Sequence, residues 1–205
     1  MENQNKLFIT SDLHFYHKNI IKYCNRPFED IYQMNEKILS EFDNLPTNST
    51  ILNLGDLYIS SKAKFEDVKY VVDRMKYNGK KLIILLGNHD RTTPRYLKTK
   101  ATAKEIFIDL GFDEVITEPF EKDGMIFCHE PVYIKNTPLV CGHIHNEDIT
   151  SDYFCHEYEN FAMTKRVKKI VNPRFYFNAC WDKHHRILPY EEIISYFSNL
   201  RKTIS

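Results

Sequence analysis

A chain of 205 residues, 42% hydrophobic and 27% charged, is long enough for one sizeable core and has an ordinary globular composition. Lys plus Arg and Asp plus Glu both total 28, so net charge offers no general attraction for nucleic acid or an anionic membrane, and 13 Tyr with 14 Phe argue against disorder. No apolar run is long enough to span a membrane, MENQNKLFIT lacks the regions of a signal peptide, and five cysteines show no CxxC pair. A cytoplasmic location with reduced thiols is the expectation.

In chain order, KLFITSDLH predicts a strand from Lys6 to about Thr10. FEDIYQMNEKILSEFDNL then places Ile31, Met34, Ile38 and Phe42 on one helical face. A second strand runs from about Thr50 to Leu54, and KFEDVKYVVDRMKYNG predicts a helix with Phe65, Val68, Val72 and Met75 in a stripe, stopped near Gly79. KKLIILLGNHD gives a strand from about Leu82 to Leu86, followed by a shorter helix in ATAKEIFIDLG. FDEVIT, GMIFCHEP, PLVCGHIH and RFYFNACWD are further strands. Strands alternating with helices imply parallel crossovers and an α/β layered fold, organised as one domain over residues 1–205. Residues 147–172 fit less well and predict a hairpin or loop excursion beside the core. Its TKRVKK run reads as a solvated charged face; if it binds a ligand, Tyr153, Phe154, Tyr158 and Phe161 would stack a base. His184 and His185 read as surface histidines.

Several strands stop at polar clusters. Each alone is weak: Asp12 and His14 in DLH have a loop-and-cap reading, Asp56 in LGDL a turn reading, and His129 in CHEP a buried-histidine reading. GNHD is rarer, because Asn88, His89 and Asp90 serve no packing need after an apolar run, and His143 with His145 in GHIH are spaced for one pocket. Taken together, five strand-like segments end in His, Asp or Asn, at the carboxyl ends where parallel sheets place ligand sites. Two Asp, one Asn and four His exceed the need of one ion and suit two that share a carboxylate. A nitrogen and oxygen set without thiolate favours Mn, Fe, Ni or Zn over Mg or Ca, with Mn preferred.

The ordered series Asp12-Leu-His14, Gly55-Asp56, Gly87-Asn88-His89-Asp90, His129 and Gly142-His143-Ile144-His145 resembles the calcineurin-like metallophosphoesterases. FITSDLHFYHKNIIKYCNRPF and FNACWDKHHRILPYEEI are similar to the opening and close of the small bacterial and phage members. One departure is Cys128-His129-Glu130-Pro131, where many relatives carry a small residue and then an aromatic around the His. The resemblance implies a four-layer sandwich of two mixed sheets flanked by helices. It implies that Asp12, His14 and His145 hold one divalent ion, that Asn88, His129 and His143 hold a second, and that Asp56 bridges them. His89 would face substrate, with Asp90 hydrogen-bonded to its ring.

The chemistry so implied is hydrolysis of a phosphate ester by hydroxide from a bridging water, with His89 assisting the leaving group. Arg26 and Arg91 suit phosphate recognition, and His17 and Asn19 complete the expected substrate contacts. Small diesters such as cyclic or linear nucleotides are favoured as substrates, and a membrane or extended nucleic acid is disfavoured. The alternatives are a phosphomonoesterase, a nuclease for short single strands, and a non-catalytic platform on the same fold.

Overall fold

Alternation within the apolar strands decides the layering, since successive side chains face opposite ways. The structure, a computed structural model, describes residues 6–58, 63–92, 102–133, 137–149, 154–159, 162–168 and 175–204. The first part runs β1 (Leu7–Thr10), α1 (Ile20–Tyr23), α2 (Ile31–Asp43), β2 (Thr50–Asn53), α3 (Phe65–Met75), β3 (Lys81–Leu85), a 3-10 turn (Asp90–Thr92), α4 (Ala103–Leu110) and β4 (Glu114–Ile116). β5 (Phe120–Lys122), β6 (Met125–Cys128), β7 (Val132–Tyr133), β8 (Leu139–Cys141), β9 (Phe154–Glu159), β10 (Ala162–Lys168) and β11 (Tyr176–Asn178) follow. The chain closes with α5 (Trp181–His184), β12 (Leu188–Pro189) and α6 (Tyr190–Ile204).

β1 to β4 form a parallel sheet in the order β12-β1-β2-β3-β4, with β12 antiparallel on β1. A second mixed sheet has the order β11-β8-β6-β5, in which β5 alone runs antiparallel to its neighbour. The expected α/β arrangement of two mixed sheets with helices is therefore what this chain forms. Phe8, Ile51, Leu82 and Ile84 face a helix layer of α2, α3 and α4. One residue along, Ile9 and Leu52 face Met125, Phe127 and Val140 of the second sheet, with Ile193 and Phe197 of α6 in the same cluster. On the far side of that sheet, Ile126, Cys128, Leu139 and Cys141 pack with Val132 of β7 and loop residues Ile144 and Ile149.

Local signals explain the boundaries. α2 starts at Ile31 because the Asp30 carboxylate accepts from the N–H groups of Tyr32 and Gln33 at 2.8 and 2.9 Å. Met34, Ile38, Leu39 and Phe42 form its buried stripe. α4 opens on a Thr102/Glu105 capping box and ends at Gly111, whose φ of 111° would strain any other residue. Asp123 and Gly124, at φ 52° and 72°, supply the two left-handed residues that turn β5 into β6. β9 and β10 pair antiparallel and reach the body through β7. The side chains of TKRVKK and of the aromatic set Tyr153, Phe154, Tyr158 and Phe161 lie outside the described residues.

Phe42 is 0% exposed on the buried face of α2, and Tyr77 is 64% exposed. Phe42→Ala is expected to lower the urea unfolding free energy by about 3–5 kcal/mol, against less than about 0.5 kcal/mol for Tyr77→Ala.

Candidate metal centre

Five strands, three from the first sheet and two from the second, deliver their carboxyl ends to one place. Beyond β1 come Asp12 and His14, beyond β2 Asp56, and beyond β3 Asn88, His89 and Asp90; β6 leads into His129, and β8 into His143 and His145. The loops are laced together by backbone bonds, from Asp12 N to Gly55 O at 2.9 Å, His14 N to Asp56 O at 3.1 Å and Gly142 N to His129 O at 3.1 Å. At Asp12, His14, Asp56, His143 and His145 the backbone takes positive φ, between 51° and 72°. Such conformations are disfavoured outside glycine and concentrate where function requires them. Turning each strand end this way brings the side chains inward within a residue or two of the sheet.

The donors fall into two groups that meet at Asp56. In the first, Asp12 Oδ1 lies 3.8 Å from His14 Nε2 and 4.0 Å from His145 Nε2. In the second, His129 Nε2 is 3.4 Å from Asp56 Oδ2 and 2.9 Å from Asn88 Oδ1, which is itself 3.1 Å from His143 Nδ1. Asp56 Oδ2 is also 3.9 Å from His14 Nε2, on the side of the first group. Asp12, His14 and His145, and likewise Asp56, His129 and His143, hold ligand atoms within 4.8 Å of one another.

These groups fit a pair of cations. Asp12 Oδ1 and both ring nitrogens of His14 are buried with no hydrogen-bond partner among the described residues. Buried polar atoms are almost always paired, so orphans that converge in this way call for an ion. The neighbouring atoms are already committed. Asp12 Oδ2 accepts from Ser11 Oγ at 2.5 Å, His143 N at 2.9 Å and Cys180 Sγ at 3.1 Å. His129 Nδ1 lies 2.8 Å from the Leu54 carbonyl and donates to it, which turns Nε2 toward the centre. Gly87 and Gly142 are tight: a Cβ on Gly87 would sit 2.9 Å from His129 Cε1 and inside contact of the Asp56 carboxylate, and one on Gly142 would meet Ser11 Oγ and Asp12 Oδ2.

The electrostatics suit the same purpose. Burial pushes His14 down to about 3, which keeps its imidazole neutral with a lone pair to give. Burial would also lower His129, but the Asp56 carboxylate outweighs it and lifts the ring to about 10. For Asp56, burial works upward, and the His129 charge overrides it and holds the carboxyl well below the usual range. His145 is raised to about 10 against the pull of burial by its hydrogen bond to Asp182.

The remaining expected residues divide. His89 is half-exposed beside the ligands, with Nε2 4.0 Å from Asp56 Oδ2. His89, His17, Tyr23, Ile144 and Glu147 line a cavity of about 530 Å³ that His14, His143 and His145 also face. Asp90 requires correction. Instead of the His89 ring, its carboxylate holds the backbone N–H groups of Asp56, Gly87 and Leu57 at 2.7, 2.9 and 3.1 Å, clasping the ends of β2 and β3 together. Arg26 requires one too: it is 4% exposed, paired with Asp182, and out of reach of a substrate. Asn19 is exposed at the start of α1 and is not among the cavity residues, and the Arg91 guanidinium donates to the Thr117 carbonyl. Asp182, which touches His145, went unnoticed in the sequence. The one available signal was its place a few residues beyond β11, in NACWD, where earlier strands are followed by the candidate ligands.

The calcineurin-like phosphoesterase family model matches residues 6–197, so this chain belongs to the calcineurin-like phosphoesterases, a family of metal-dependent enzymes. An uncharacterized protein of Methanocaldococcus jannaschii is 39% identical over 87 residues, which cover 42% of this chain and 47% of that one, less than half of either. Among solved structures, a protein of unknown function from Aquifex aeolicus shares the fold at a TM-score of 0.58 and 18% identity, over 93% of this chain and 98% of its own. Nuclease MPE of Pseudomonas putida aligns at a TM-score of 0.46 and 22% identity, over 69% of this chain and 62% of its own.

At neutral pH, below their values of about 10, His129 and His145 each carry an extra proton that a metal must displace. Metal loading is expected to release about two protons and to weaken as the pH falls. Calorimetry in buffers of different ionisation enthalpy reads the number directly, and a release of none contradicts the assignment. Gly87→Ala, which crowds Asp56, is expected to weaken metal binding at least about tenfold in equilibrium dialysis while the far-ultraviolet spectrum is retained.

Proposed function

We propose that this protein is a phosphodiesterase for small nucleotide-like diesters, acting with two divalent ions, preferably Mn. The observation that carries the reading is the cavity of about 530 Å³, which opens beside both ligand groups and has His89 in its wall. A phosphodiester has two organic substituents, and a space of this size next to the ligands leaves room for both. Tyr23 on the rim, 73% exposed, offers a ring face to a base.

Two divalent ions held by Asp12, His14, Asp56, Asn88, His129, His143 and His145 would supply Lewis acidity, activating water and neutralising the phosphoryl oxygens. The chain's own contribution begins at His89. Its backbone N–H donates to Asp56 Oδ1 at 3.0 Å, which fixes the ring's origin, while the imidazole stays at the cavity surface. From the cavity wall His89 would pass a proton to the leaving oxygen, a service worth roughly 10²–10⁴-fold in rate. His17, beside it in the wall, is held neutral by burial and so offers a lone pair or an N–H to the ester without charge. Cys24, Cys128, Cys141 and Cys180 are buried and unbridged, which supports a reducing, cytoplasmic setting. Among the described residues no helix is long and apolar enough to cross a membrane.

The test is hydrolysis of bis-p-nitrophenyl phosphate against p-nitrophenyl phosphate by metal-stripped protein, with Mn, Ni, Zn or Mg restored in turn. Diester cleavage that requires metal and is abolished in Asp56→Asn is the expected result; preference for the monoester makes the protein a phosphatase. His89→Ala should keep both metals and lose about 10²–10⁴-fold of turnover. Loss of metal from that variant would contradict the role given to His89.

A further inference from the structure

Arg26 and Asp182 are each 4% exposed and paired, and neither lines the cavity, although Asp182 touches His145 of the first candidate group. All five guanidinium N–H donors are engaged. Nε and Nη2 grip the two Asp182 oxygens at 2.6 and 2.8 Å. Nη2 also donates to the Asp12 carbonyl at 2.7 Å, and Nη1 to the Leu13 carbonyl at 2.9 Å and to Met34 Sδ at 3.3 Å. The Trp181 ring lies 5.1 Å from the guanidinium carbon and closes that side. Asp182 Oδ2 has one further partner, His145 Nδ1 at 2.8 Å.

We propose that Asp182, oriented by Arg26, is the positioning residue of the first metal subsite: it keeps the His145 proton on Nδ1 and so presents Nε2 to Asp12. The same guanidinium holds the Asp12–Leu13 backbone, so one side chain sets both walls of that subsite. This rests on the metal assignment above, in which Asp12, His14 and His145 share an ion. The second subsite uses a different device, since the His129 Nδ1 proton rests on the neutral Leu54 carbonyl. A carboxylate makes the imidazole it holds a stronger donor than a carbonyl does. Removing Asp182 should therefore affect one ion and spare the other.

A rival reading makes Asp182 a ligand itself. Cys24, His145 and Asp182 do form a third group whose ligand atoms lie within 4.8 Å of one another. Each Asp182 oxygen, however, already has a guanidinium nitrogen within 2.8 Å, and a cation placed there would face Arg26 directly. The carboxylate serves the imidazole.

Metal-free protein titrated with Co²⁺, followed by visible absorption, resolves the two subsites; His145→Ala identifies which binding step belongs to the first. Asp182→Asn is expected to weaken that step about 10–100-fold and to leave the other within about threefold. Equal weakening of both steps, or of neither, overturns the proposal. If Asp182→Asn does not fold, the paired variant Arg26→Met with Asp182→Leu removes both charges together and should show the same selective loss. A measurement on the unaltered chain is independent of any variant: in Zn²⁺-loaded protein, long-range proton–nitrogen correlation should find the His145 proton on Nδ1. A proton on Nε2 overturns the proposal, and a chain that binds no Co²⁺ at all overturns the metal assignment along with it.

Discussion

Ile9 and Leu52 of the first sheet meet Phe127 and Val140 of the second, and that apolar seam determines where both sets of strand ends fall relative to each other. The candidate ligands Asp12, His14, Asp56 and Asn88 follow strands of one sheet, and His129, His143 and His145 follow strands of the other. Among the described residues, the groups Asp12, His14, His145 and Asp56, His129, His143 each draw on both sheets. A close-packed seam resists sliding by even part of a residue. The precision that ligation needs therefore originates in aliphatic packing several residues away from any polar atom. Asp90 and Arg26 extend that rigidity into the loops by occupying backbone N–H and carbonyl groups that would otherwise be free to drift.

Burying two ligand carboxylates and several imidazoles in one place is unfavourable unless charge is balanced locally. In the metal-free protein the balance is made by protons: His129 answers Asp56, and the Arg26–Asp182 pair with His145 forms a second neutralising set. Each of those imidazole protons occupies or faces a position an ion would take. A metal pair bound there would take over the balancing that the protons perform.

Much of this was legible in the sequence. The helix stripe Met34, Ile38 and Phe42, the near-continuous apolar strands, and the polar residues at five strand ends depend on spacing alone, and spacing is what a sequence displays. What escaped depends on contacts between distant segments. Arg26 has the chemistry of a phosphate binder and serves as an internal clamp, because its partner Asp182 lies 156 positions away. Asp90 was assigned to its neighbour's ring, whereas its carboxylate turned inward to backbone N–H groups, two of them more than 30 positions distant. The positive φ values at the ligands were hidden for a different reason: His carries no sequence mark of left-handed backbone as Gly does.

The long separation between ligands bears on how the molecule comes to exist. Asp12 and His145 stand at opposite ends of most of the chain, and the Asp182 that steadies His145 comes later still. Contacts of such range form only after slower, large-scale chain closure. An ion therefore cannot nucleate this fold as zinc does in a short finger, where the ligands are close neighbours. Here the sheets must first be built and joined before the candidate ligands meet. The proposed ions would join a chain whose sheets are already packed, which makes folding and metal loading separable events.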